Sequence, residues 1–126
     1  MRDLSKLEMI NAMAEVMLTC EIEDQEELTF EDAVRELESD EIRCYTIEEI
    51  SGKTDNFQVN VAESRGSEGD GAEMFLTFYV KSLTEEAEGY LEFYGRYSSW
   101  DSSYYYDSYA VKPEEVTVTV YKRVKA

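Results

Sequence analysis

The block EMFLTFYVKS, residues 73–82, constrains this chain more than any other stretch. Met74, Leu76, Phe78 and Val80 alternate with Phe75, Thr77 and Tyr79, a period of two that only an extended strand can satisfy. NFQVNVAES alternates Phe57, Val59 and Val61 with polar partners in the same way, and SRGSEGDGA supplies three glycines that end it. Glu85, Glu86 and Gly89 make a turn before YLEFYGRYS. EEVTVTVYKRV then sets Val116, Val118 and Val120, expected to face the core, against Thr117, Thr119 and Tyr121. EIRCYTIEEI, from residue 41, is also β-branched and aromatic. Strands joined by turns this short are antiparallel, which predicts a meander of four to five strands.

Ahead of residue 41 the period is helical. Leu4, Leu7, Ile10, Ala14, Met17 and Leu18 recur at spacings of three and four, with Ser5 and Glu8 at capping-box spacing and Asp3 as an alternative cap. Thr29 and Asp32 mark a second start, followed by Phe30, Ala33, Val34 and Leu37 on one side, which predicts a helix over 30–39. CEIEDQEEL between them fits a strand or a loop. The fold class is therefore α+β, with two N-terminal helices covering the apolar face of the sheet. No repeat or composition shift marks a boundary, so residues 1–126 read as a single domain, helical and acidic over 1–40 and a sheet over 41–126.

The formal net charge is −17. It excludes direct nucleic-acid binding, which needs Lys and Arg to replace counterions, and an anionic membrane surface would repel the chain. No apolar run reaches the roughly 18 residues of a membrane span, and the N-terminus does not read as a signal peptide. Two cysteines, Cys20 and Cys44, fall short of a secreted disulfide framework and point to reduced thiols in a cytoplasm. The acids cluster: residues 21–49 hold thirteen against Arg35 and Arg43, a net of −11.

The chain has no histidine. That removes the commonest general base and metal ligand, and with it histidine-dependent triads and zinc sites built from two cysteines. RGSEGDGA lacks a terminal lysine and precedes a strand, so it is no phosphate loop. The expectation is a non-enzyme without a cofactor or a metal. The loop SEGDGAE invites a calcium reading through Glu68, Asp70 and Glu73, but it departs from the EF-hand order and reads better as a hairpin loop.

Residues 95–122 gather six tyrosines with the only tryptophan and the only proline. Gly95 lies inside a strand pattern and signals a bulge or bend. Trp100 to Ser103 read as a polar turn, and Tyr104, Tyr106 and Tyr109 as a returning strand that ends at Pro113. Such residues pack a sheet or anchor an interface. Stacking of nucleobases is excluded, because only Arg96 is near. The succession GSEGDGAEMFLTFYVK, YGRYSSWDSS and YAVKPEEVTVTVYK resembles a group of small acidic proteins that recur in tailed-phage genomes. Its pattern is G-x-Y-x-S-[WY]-D followed by V-x-P-x-E-x-T-V-T-V-Y, with Ser102 standing where glycine is common. The resemblance implies a phage origin and a host cell cytoplasm, and no mechanism.

Two functions follow. In one, the chain binds and inhibits a host or defence protein through that protein's basic surface, by presenting carboxylates as phosphate mimics. The candidate residues are Glu23, Asp24, Glu26, Glu27, Glu31, Glu36 and Asp40, since helix carboxylates at i and i+4 lie roughly 6 Å apart and phosphates advance about 3.4 Å along the axis. In the other, it is a structural or accessory interaction domain that docks through its sheet and Tyr97, Trp100, Tyr104, Tyr106 and Tyr109. Neither takes nucleic acid or membrane as a direct partner, and pairing as a homodimer is left open.

Overall fold

The computed structural model of the chain describes residues 1–20, 28–66, 73–97, 104–114 and 119–124. The chain is α+β. Its elements run β1 (Arg2–Asp3), α1 (Lys6–Met17), α2 (Phe30–Leu37), β2 (Ile42–Arg43), α3 (Cys44–Glu48), β3 (Gly52–Lys53), β4 (Phe57–Gly66), β5 (Glu73–Ser82), β6 (Ala87–Arg96) and β7 (Tyr104–Val111). The strands form one sheet in the order β2-β7-β6-β5-β4-β3, with β1 added in parallel to β6 at Arg2↔Ala87 and Asp3↔Glu88. Because β5 takes the other edge of β6, β1 continues the row that β7 occupies.

Strands β4 to β7 are the antiparallel meander expected from the alternation. Among the described residues the sheet has seven strands rather than four or five, because β1, β2 and β3 are two residues each and too short to leave a period-two trace. Met74, Leu76, Phe78 and Val80 all face the core, joined by Val59, Leu91, Phe93 and Tyr105. Phe78 and Phe93 meet edge to face with centroids 5.8 Å apart, a favoured geometry for aromatic pairs.

α1 begins at the expected capping box: Glu8 N–H donates to Ser5 Oγ, and Ser5 N–H to Glu8 Oε1. The helix lies across β4, β5 and β6, and α2 packs mainly against α1. Because α1 is covered on two sides, it buries Met9, Ala12, Met13 and Val16 as well as Ile10, Ala14 and Met17. Leu7 and Leu18, expected to face the core, are exposed instead; they sit about three turns apart on the same flank. α2 has the expected Thr29–Asp32 box and buries Ala33 and Leu37, but Phe30 at its first turn stays outside.

Four further expectations are corrected. EIRCYTIEEI is a two-residue strand followed by the short helix α3, which turns Thr46 and Ile47 inward and leads to the buried Ile50. Burial at helical spacing overrides the β-propensity of this segment. Val61 is exposed, because the β4–β5 register shifts between Val61 and Glu63 and β4 runs exposed from Val61 to its end at Gly66. Gly89 is in β6, not the turn; a Cβ there would lie 2.8 Å from Met9 Sδ, so the missing side chain lets α1 approach the strand. The last segment is no strand over 119–124, and Val120 is 71% exposed where it was expected to face the core. Alternation alone cannot make a strand; it needs pairing along an edge. Val116 and Val118 lie outside the described residues, as do most of CEIEDQEEL and the tip of the glycine-rich loop.

Candidate interaction surface

The face of the sheet turned away from α1 carries the second set of the alternating residues. β5 contributes Phe75 and Tyr79, β6 contributes Tyr90, Glu92 and Tyr94, and β7 contributes Tyr104 and Tyr106. Antiparallel register sets Phe75 against Tyr94 and Tyr79 against Tyr90. Their centroids are 5.3 Å and 5.2 Å apart. Tyr106 then meets Tyr94 edge to face at 5.5 Å, which extends the row to a third strand.

That third contact depends on an irregularity. The register of β6 and β7 shifts between Tyr94 and Gly95, leaving Tyr106 as the extra residue opposite, a β-bulge that re-aims a side chain. A Cβ on Gly95 would overlap the Tyr104 carbonyl. The glycine inside YLEFYGRYS therefore does mark an irregularity, but the bulge itself is on the partner strand at Tyr106, with Gly95 opposite it.

Charged groups frame the rings. The Arg65 guanidinium lies over Phe75, 4.7 Å from its centroid, and reaches Glu92 at 3.6 Å. Tyr94 Oη–H donates to Glu73 Oε1 at 3.2 Å, and Tyr79 Oη–H to Glu88. The hydrogen bond to the Glu88 carboxylate, with burial, pushes the Tyr79 phenol up to about 12. Burial raises Tyr94, and Glu73 adds to the rise. These phenols stay neutral donors across the physiological range. The result is a pinned band of aromatic rings with polar tips, half-buried by their neighbours and open to solvent on one side.

Of the tyrosine set expected from the sequence, Tyr104 and Tyr106 join this band, and Tyr109 stands opposite Glu92 with half its surface exposed. Tyr97 is packed against the core, and Trp100 lies outside the described residues. Phe75, Tyr79, Tyr90 and Tyr94 were missed as site residues, although the outward positions of EMFLTFYVKS and YLEFYG carried the signal. Of the acidic set, Glu23, Asp24, Glu26 and Glu27 lie outside the described residues. Glu31 and Asp40 are exposed and Glu36 half-buried. Only Glu31 and Glu36 share α2, which ends at Leu37, so Asp40 is not on the helix.

Cys44 Sγ–H donates to Glu48 Oε1 at 3.1 Å, and burial together with that carboxylate pushes the thiol up to about 12. An activated thiol needs the opposite surroundings. Among the described residues no group of three or more His, Cys, Asp or Glu side chains is placed to hold a metal ion, and no helix is long and apolar enough to cross a membrane. Compared with family models, with curated proteins and with solved structures, the chain finds no match.

Proposed function

We propose that this chain is a small acidic accessory protein of phage type, which docks on a host or defence protein through the aromatic outer face of its sheet. The observation that carries the reading is the row Phe75–Tyr94–Tyr106, fixed in place across three strands and open to solvent. Tyrosines of this kind anchor interfaces because they supply a large apolar area and a hydrogen-bonding tip at little cost in conformational freedom. The negative charge then steers the encounter with a basic surface rather than holding the complex.

Phosphate mimicry is the second reading. It is favoured by the way α2 turns Ala33 and Leu37 inward and leaves Glu31, Glu38, Asp40 and Glu41 exposed around it. Affinity capture from phage-infected lysate identifies the partner, and two sets of variants then separate the readings. Docking through the sheet requires Tyr106→Ser with Tyr109→Ser to weaken binding by about tenfold or more, while Glu31→Lys with Asp40→Lys slows association and leaves dissociation alone. Mimicry requires the charge reversals to abolish binding and a steep loss of affinity with salt. Circular dichroism melts of each variant confirm that the sheet still folds.

A further inference from the structure

Strand β7 is covered on its outer side only at one end. β2 pairs with Tyr104 and Tyr105, so from Tyr106 to Val111 no strand among the described residues lies beyond it. Beside that edge is a cleft of about 380 Å³, lined by Leu7, Ile10, Leu37 and Ile42 with Glu38 and Asp107 among its polar groups. Leu7 is 58% exposed there although the helical pattern marks it for burial. An open edge offers unpaired N–H and C=O groups, and an apolar cleft alongside it offers seats for side chains. Together they are the elements of strand addition.

The chain also carries a segment suited to that edge. Thr119 to Val124 reads TVYKRV, strand-like in composition, yet it pairs with no strand among the described residues, with Val120 71%, Tyr121 92% and Val124 93% exposed. It has six residues, as does the open edge, and at about 3.4 Å per residue each spans roughly 20 Å. It bears Lys122 and Arg123 and no acid, in a chain of net charge −17. The chain leaves β7 at Lys112, whose Nζ is held 2.7 Å from Asp3 Oδ2. That pair ties the exit to β1, in the row that continues β7, and not to the row beyond it where the open edge lies.

We propose that two copies of this chain associate by exchanging these segments. Thr119–Val124 of each copy adds as a strand to the Tyr106–Val111 edge of the other, and its apolar side chains enter the cleft beside Leu7. Each copy gives one segment and receives one, so the pair closes about a two-fold axis. The surface used is the edge of the sheet and the cleft beside it, which shares Tyr106 with the aromatic row and leaves Phe75, Tyr79, Tyr90 and Tyr94 free.

Sedimentation equilibrium of the full chain at roughly physiological ionic strength, where self-repulsion is screened, tests this. A monomer–dimer equilibrium is expected. Val120→Pro, which removes a ladder donor from the exposed segment, and Leu7→Asp, which places a charge in the cleft, should each raise the dimer dissociation constant about tenfold or more. Hydrogen exchange should show the amides of 106–111 and 119–124 gaining protection together as concentration rises. A monomer up to about 1 mM overturns the proposal, as does a dimer that either substitution leaves unchanged. A monomer whose 119–124 amides are already protected overturns it too, because the segment then folds back on its own chain.

Discussion

Replacing Gly95 by alanine tests the bulge that places Tyr106 against Tyr94. The added Cβ would overlap the Tyr104 carbonyl and sit 2.9 Å from Tyr105 Cα. Both obstacles are backbone of a paired strand and cannot step aside without breaking the β6–β7 ladder. Overpacking of this kind costs typically about 1–3 kcal/mol, and a purely backbone clash belongs at the top of that range. Alanine returns about 0.5–1 kcal/mol by restricting the unfolded chain. The net loss is then about 2 kcal/mol, or roughly 8 °C in melting temperature for a chain of this size. Gly89→Ala is the internal comparison, since its Cβ meets the end of a flexible side chain, Met9 Sδ at 2.8 Å. That variant should lose about half as much. Thermal melts followed by near-ultraviolet circular dichroism, which reads the packed tyrosines, measure both. Gly95→Ala within 1 °C of the parent chain, or less stable by no more than Gly89→Ala, would refute the reasoning.

Ile10→Asp should prevent folding, because burying an unpaired carboxylate at a position 2% exposed costs several kcal/mol against a total of roughly 5–15. Leu7→Asp, three residues earlier and exposed, should melt close to the parent when both are dilute enough to be monomeric. The bonds to Arg2 and Ser5 hold Glu8 down at about 2 against an ordinary value of 4.5. A depressed folded value means a stabilisation present above 4.5 and lost as pH falls toward 2, so the gap in melting temperature between the parent and Glu8→Gln should close over that interval. At neutral pH the melting temperature should rise between low and moderate salt, as self-repulsion within a chain of net charge −17 is screened; a flat response would show that the acids are already compensated.

How much of this was legible depended on how far each signal reached along the chain. The four long strands, both capping boxes and the irregularity at Gly95 are written in local patterns, although the bulge itself falls on the partner strand at Tyr106. Met9, Ala12, Met13 and Val16 were missed because their burial comes from α2 lying on the far side of α1, which no window within the helix reveals. α3 hid in a β-branched run because its direction is set by where Ile47 and Ile50 must point. The terminal segment shows the converse, a strand-like pattern that forms no strand over 119–124. The outer aromatic row was half legible: Tyr104 and Tyr106 were marked by their crowding, whereas Phe75 and Tyr94 became site residues only once register placed them side by side.

The pairing of β1 with β6 has a consequence in time. Arg2 bonds Glu8 and Glu85, groups that enter the chain early and late, across a separation of 83 residues. α1 leaves the ribosome with a broad apolar face, interrupted by the stripe Glu8, Asn11 and Glu15, and the strands that cover it are not yet made. Contacts of such long range close slowly, because the loop between them must be ordered first. During synthesis the first helix is therefore a sticky, unpartnered element until β6 has emerged, and the yield of folded protein should respond to chaperone supply and to the rate of translation through residues 57–96.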